Sequence, residues 1–225
     1  MDKIVGYAAT RNIYRNTAAC IKSVLKNGNI DKVIVLSEDD CFPYMLGSRV
    51  LNLNVSEQTY FNQAGPNAIK RWTWMALMKA AFSKLFPSLD RILFLDSDTI
   101  VEHGISDLWD LDMTEYYFAA VPQTSDGRGG RFMTGAYFNT GAMMCDLKKL
   151  RQDGKDDCLI NALNTVDYEF PEQDCINKLC EGKILPLPGR YNVCDFTVPD
   201  TQCYIRHFAA HGEWVNTTYF REYEP

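Results

Sequence analysis

The stretch RILFLDSDTIV, Arg91 to Val101, decides how the fold is read. Ile92 to Leu95 are four consecutive apolar residues, the character of a strand buried on both faces in the middle of a parallel sheet. They run directly into Asp96 and Asp98, separated by Ser97. Open α/β sheets gather ligands outside the carboxyl ends of their strands, so two carboxylates at that end stand where a ligand belongs. Side by side they repel each other, and a divalent cation with a liking for hard oxygen, Mg2+ or Mn2+, relieves the cost. A lone D-x-D is common, and an aspartate that caps the following turn accounts for it equally well.

The segments around this strand alternate in type. Ile4–Ala8 reads as a strand, and Asn16 and Thr17 as caps of a helix through Lys26 with Gly28 as its stop. KVIVL (32–36) and RVLNLNV (49–55) read as two further strands. Pro66 is placed to open a long helix to about Phe86, carrying an apolar face of Trp72, Trp74, Met75, Met78 and Phe82. After the D-x-D come a strand at 116–121, a glycine-rich loop QTSDGRGGRFMTG, and a strand-like AYFNTGAMMCDL with a polar break. Helices are expected at 156–164 and 172–181, the second opened by Pro171 and Glu172, and late strands in KILPLP and CYIRHF. With no repeat and no linker, the expectation is one α/β domain over residues 1–225 with a mostly parallel first half.

A chain of 225 residues can bury one sizeable core. Its formal net charge of −6 argues against nucleic acid as a partner, because that needs a basic surface to displace counterions. No apolar run approaches the roughly 20 residues of a transmembrane helix, and no secretory leader is recognised. The eight cysteines include no C-x-x-C pair, so reduced thiols in a soluble, cytoplasmic protein are expected.

Two chemistries compete for LFLDSDTIV. It fits the nucleophile strand of haloacid-dehalogenase-type phosphatases, with Asp96 attacking phosphate. That family places the motif on its first strand, whereas here three strand-like segments precede it. The later carboxylate pair would have to come from GKDDC (154–158), into which no apolar strand runs. The other reading is a sugar-nucleotide transferase, in which D-x-D holds a metal on the diphosphate of a UDP-sugar and the metal assists departure of UDP.

From Ile4 to about Trp214 the chain resembles glycosyltransferase family 8, which contains glycogenin and bacterial lipopolysaccharide galactosyl- and glucosyltransferases. Five segments carry the resemblance in the family's order. They are AATRNIYRNTAACIKSVL, RILFLDSDTIVEHGISDLWDLD, YFNTGAMMCDLKKL, FPEQDCINKLCEGKILPLPGRYN and IRHF. The resemblance implies a GT-A fold, a mostly parallel nucleotide-binding sheet flanked by helices. The nucleotide would lie on the half at about 1–101, and sugar and acceptor on the half at about 102–225. It also implies transfer of a hexose, glucose or galactose, from a UDP-sugar to an acceptor hydroxyl with retention of configuration. Mn2+ would be held by Asp96, Asp98 and His207, with Mg2+ as the alternative ion.

Donor contacts carried over by the resemblance are Thr10, Asn12 and Tyr14 around the uridine, Lys79, and Ser97 with the two aspartates. Asn139, Thr140 and Gly141 complete the donor set. Arg71 is the alternative to Lys79 if the helix register slips. Gln173 and Asp174 would face the anomeric carbon and the sugar hydroxyls. The amide at Gln173 favours front-side attack guided by the leaving phosphate over a carboxylate nucleophile.

The chain departs from the family in two places. The family's closing H-x-x-G-x-x-K-P-W reads here as HFAAHGEWV, with Ala210 for the glycine and Glu213 for the lysine. An acidic group about 4 Å from a diphosphate would cost about 4 kcal/mol at an effective dielectric near 20. Glu213 is therefore expected to point away, with His211, Arg206 or Arg221 in its place. Gln123 stands where the family commonly has an aspartate. These changes leave room for a member that binds a UDP-sugar without turning it over. The short acidic C-terminus lacks a basic amphipathic tail, and the acceptor stays open between glycan, protein and lipid headgroup.

Overall fold

The apolar run ahead of the aspartates is covered on both faces, as its composition demands. A computed structural model of the chain describes residues 2–68, 73–125, 137–209 and 211–225. Its elements are β1 (Ile4–Ala8), α1 (Tyr14–Asn27), β2 (Lys32–Ser37), β3 (Val50–Asn54), α2 (Trp74–Leu77), α3 (Phe82–Leu85), β4 (Arg91–Leu95) and β5 (Thr99–Val101). There follow β6 (Phe118–Pro122), β7 (Phe138–Asp146), α4 (Leu147–Gln152), α5 (Lys155–Thr165), α6 (Pro171–Leu179), β8 (Ile184–Pro186), β9 (Ile205–His207) and α7 (Thr218–Tyr223). The sheet has the order β3-β2-β1-β4-β7-β6-β8. Its first four strands are parallel; β7 runs antiparallel between β4 and β6.

Alternation along β4 explains why it carries no polar face. Ile92 and Phe94 enter one apolar layer with Phe82, Met78 and Met143. Leu93 and Leu95 enter the opposite layer with Tyr7, Ile21 and Met144. Ile92 to Leu95 are each 1% exposed or less, so after Arg91 at the strand's start the next residue that can meet water is Asp96.

Two irregularities build the cleft. On β7 the pairing to β6 jumps from Ala120↔Met143 to Val121↔Asn139, so Thr140, Gly141 and Ala142 form a bulge on that side. On the other side Leu95 pairs with Ala142, which delivers the bulge to the end of β4. Separately, β5 and β9 make a two-stranded antiparallel pair with Thr99 opposite His207. The strand expected in CYIRHF thus pairs with the residues just past the D-x-D, where no strand was foreseen.

The expected helix from Pro66 to Phe86 is corrected. Pro66 to Ala68 lie in a turn, because the Asn67 amide donates to Leu163 and Val166 carbonyls and accepts from Tyr168 N–H, tying the segment to the end of α5. Among the described residues of this segment, helical structure covers Trp74–Leu77 and tightens to a 3-10 turn at Met78–Ala81, all four residues of which are buried. The start of the first helix also moves. Tyr14 is its first residue, after a 3-10 turn at Arg11–Ile13, and Thr17 lies inside it with its hydroxyl donating to Ile13 O at 2.9 Å. Arg71, Trp72, Ala210 and the Asp126–Gly135 part of the glycine-rich loop lie outside the described residues. All eight cysteines are unpaired. Among the described residues no helix is long and apolar enough to cross a membrane.

Candidate active site

Asp96 and Asp98 leave the end of β4 toward the cleft, while Ser97 turns back into the protein. Its hydroxyl lies 2.9 Å from the Thr17 hydroxyl and 3.5 Å from Ala8 O, which ties the D-x-D turn to β1 and α1. The Asp96 N–H donates to Gly141 O at 2.8 Å, and the Thr99 hydroxyl closes the turn on Asp96 O at 2.8 Å. The turn is therefore held by backbone, and its two carboxylates are left for something else.

His207 comes to them from β9. Its Nε2 lies 3.3 Å from Asp98 Oδ1 and 3.9 Å from Asp96 Oδ2. One ligand atom from each of the three residues falls within a 4.8 Å span. The ring is pressed onto β7 at Gly141, where an added Cβ would stand 2.1 Å from His207 Cε1. Only glycine permits that approach, which gives the N-T-G bulge a steric reason.

Lys79, at 4% side-chain exposure, supplies the counter-charge. Its Nζ sits 2.6 Å from Asp96 Oδ1 and 3.0 Å from Glu172 Oε1. Burial opposes the ammonium, but Asp96 and Glu172 raise its pKa well above the ordinary lysine value. Burial raises the Asp96 carboxyl above its usual range despite Lys79. Burial acts on Asp98 in the same direction, but the charge and hydrogen bond of His207 outweigh it and hold Asp98 low. Burial would depress His207; Asp98, with Cys194 and Asp96 behind it, lifts it to about 10.

The three carboxylates Asp96, Asp98 and Glu172 and the one ammonium of Lys79 leave a formal charge of −2 when His207 is neutral. That charge is the complement of one divalent cation, and two carboxylates with an imidazole are a donor set that first-row divalent ions accept. These residues fit a metal ion.

The opposite wall of the cleft is made of neutral amides. His207 Nδ1 meets Asn192 Oδ1 at 2.9 Å, and Asn192 Nδ2 donates to Asn139 Oδ1 at 2.8 Å. Asn139 Nδ2 and Gln173 Nε2 both donate to Gln123 Oε1, each at 3.2 Å. Gln173 Oε1 accepts from Thr140 N–H at 3.1 Å, and its Nε2 reaches Tyr137 Oη at 3.1 Å. Tyr137 donates to Asp174 Oδ1 at 2.5 Å, while Asp174 Oδ2 takes the Phe170 N–H at 2.8 Å. Asn177 clamps α6 onto β7 through both backbone groups of Phe138.

The structure thus gathers Asp96, Asp98, His207, Lys79, Asn139, Thr140, Gly141, Gln173 and Asp174 into one connected network. Thr10, Asn12 and Tyr14 form a separate group at the end of β1. Thr10 Oγ1 lies 2.5 Å from Asn12 Oδ1. Tyr14 is 5% exposed, with its ring tilted against Phe42 and its hydroxyl bonded to Asp39 and to Glu38 N–H. Glu172, Tyr137 and Asn192 are the members that sequence reading left without roles, although each sits inside a quoted motif. Glu213 is exposed; Arg206 is paired with Glu102 at 2.5 Å and His211 with Asp195 at 3.0 Å. The second carboxylate pair required for phosphatase chemistry is elsewhere. Asp156 and Asp157 open α5, bonded to Ser83 and Lys84.

The chain is similar to known proteins in sequence and in fold. The profile of glycosyl transferase family 8 matches residues 4–202. Lipopolysaccharide 1,2-glucosyltransferase of Escherichia coli is 34% identical over 125 residues, 50% of this chain and 36% of the relative. Glycosyltransferase GlyD of Streptococcus pneumoniae is 29% identical over 212 residues, 86% of this chain and 24% of the relative. The chain therefore spans well under half the length of these relatives. Among solved structures, galactosyltransferase LgtC in complex with donor and acceptor sugar analogs superposes with a TM-score of 0.75 at 18% identity, covering 97% of this chain and 93% of that one. The frame is the GT-A fold, and the chain belongs to glycosyltransferase family 8.

Proposed function

We propose that this chain transfers a hexose, glucose or galactose, from a UDP-sugar to an acceptor hydroxyl with retention of configuration and with Mn2+. The observation that carries this reading is the Asp96, Asp98 and His207 cluster at the end of the central strand of a family 8 frame. The mixed oxygen and nitrogen donors favour Mn2+ over Mg2+. Bound there, the ion would neutralise the diphosphate and act as Lewis acid for the departing UDP.

The chain's own residues do the positioning. The half at 1–101 holds the nucleotide, with Thr10, Asn12 and Tyr14 at the uridine and Asp98 toward the ribose, while Ser97, expected among the donor contacts, braces the D-x-D turn from behind. Lys79 steadies the carboxylate that faces the diphosphate. In the half at 102–225, Gln173 and Asp174 face the sugar and then the acceptor, and the buried Asn139, Thr140 and Gly141 back that part of the site. In the reaction the anomeric C–O bond to the diphosphate breaks and a new C–O bond forms to the acceptor oxygen. The acceptor proton leaves with the departing diphosphate. Gln173 Oε1 is already taken by the Thr140 N–H, so it is a poor covalent nucleophile, which supports same-face attack over a glycosyl-enzyme intermediate.

The test is release of UDP from a panel of nucleotide sugars without acceptor, with Mn2+ and with chelator. Slow release from one UDP-hexose only when metal is present supports the reading and identifies the donor. Metal-dependent UDP binding without release from any donor replaces it with a binding-only member. Hydrolysis of simple phosphomonoesters instead overturns it.

A further inference from the structure

The wall of amides has a direction, and that direction is set by the backbone. Side-chain amides can be turned end for end, so their oxygens and nitrogens are assigned from their neighbours. The Gly141 N–H cannot be turned. It donates to Asn139 Oδ1 at 3.0 Å, so Asn139 must present Nδ2 to Gln123. The same Asn139 oxygen faces Asn192 at 2.8 Å, so Asn192 must present its Nδ2 there. The other end of Asn192, its Oδ1, is then left for His207 Nδ1 at 2.9 Å, and an oxygen with no hydrogen can only accept. The reverse orientation would set two donors head to head at Gly141, inside a buried network where an unmade hydrogen bond costs about 1–3 kcal/mol.

We propose that Asn192 is a positioning residue for metal binding. Oriented through Asn139 by the Gly141 N–H, it keeps a proton on His207 Nδ1 and leaves Nε2, which faces Asp96 and Asp98, as the nitrogen that would ligate a metal. The inference rests on the metal-site reading above and concerns a residue that touches neither ion nor substrate. Asn192 is fully buried, and its own carbonyl is capped by the Thr197 hydroxyl at 2.6 Å, so its side chain has little freedom to reorient. The ring is fixed from its other side by the missing Cβ of Gly141. One glycine thus serves the site twice, through the space it leaves and through its N–H. Partners of this kind behind a ligating histidine set its tautomer and orientation.

The experiment is a calorimetric titration of the full chain with Mn2+ alone, comparing wild type, Asn192→Ala, Asn192→Asp and His207→Ala. Asn192→Ala is expected to weaken Mn2+ about 10- to 100-fold. Asn192→Asp keeps an acceptor for Nδ1–H, although it sets an oxygen against Asn139 Oδ1, and should bind more tightly than Asn192→Ala. Wild-type affinity in Asn192→Ala while His207→Ala is weakened overturns the proposal and leaves the metal site standing. The proposal also falls if Asn192→Asp loses affinity as Asn192→Ala does. No weakening in His207→Ala overturns the metal-site reading itself, and this proposal with it. Should Asn192→Ala fail to fold, wild type decides: the protein has three histidines, so the nitrogen-15 signals of His207 can be assigned by their loss in His207→Ala. With Zn2+ as a diamagnetic ion, a proton on Nδ1 supports the proposal, and a proton on Nε2 overturns it.

Discussion

The two walls of the cleft make opposite use of polar groups. One wall is ionic: Asp96, Asp98, Glu172, Lys79 and His207 hold each other in a cluster whose charge is complete only with a divalent ion. The other is neutral: Asn192, Asn139, Gln123 and Gln173 satisfy one another and two backbone N–H groups. An ionic cluster can exchange a partner, which suits an ion and a diphosphate that come and go. A saturated amide network has one arrangement and resists change, which under the proposed function suits the orientation of a sugar.

Removing one charge from the ionic wall should have the largest effect. Asp98→Asn is expected to abolish Mn2+-dependent UDP binding, read by calorimetry; unchanged affinity would remove Asp98 from the metal site. Next comes Lys79→Met, which strands Glu172 in a buried position and should cost about 3–5 kcal/mol in denaturant unfolding. A smaller loss would mean that the Thr140 hydroxyl, which also donates to Glu172, holds that carboxylate without the lysine. On the amide wall, Gly141→Ala forces the His207 ring away and should cost about 1–3 kcal/mol of stability, with Mn2+ affinity falling alongside it. Loss of stability without loss of affinity would separate the two roles given to Gly141. The smallest effect belongs to Glu213→Lys. This exposed position should leave stability within about 0.5 kcal/mol, measured by thermal unfolding, while UDP affinity rises if the group reaches the diphosphate.

The same contrast runs through what could be read in advance. The parallel strands β1, β2 and β4 announce themselves by apolar runs, because a strand covered on both faces has few polar positions to confuse its period, while the edge strand β3 shows itself by alternation instead. Helix starts were less legible. Asn67, which looks like part of a helix opened by Pro66, instead spends its amide on the end of α5, a partner about a hundred residues away. The 3-10 turn at Met78–Ala81 buries four residues in succession, which no amphipathic period announces.

The sequence by itself determined the class of the fold, the place of the D-x-D at the end of a central strand, and the residue types of the site. Those follow from local hydrophobic pattern and from motifs short enough to be seen in a line. Only the tertiary structure decided which side chains meet. It paired β9 with the residues after Asp98, set the bulge of β7 beside Asp96, and laid the His207 ring on Gly141. It also joined Lys79 to Glu172 and gave the amide wall its direction. The physical reason is distance along the chain. Hydrogen-bond polarity and charge balance depend on groups brought together from far-apart segments, and no local window contains all of them.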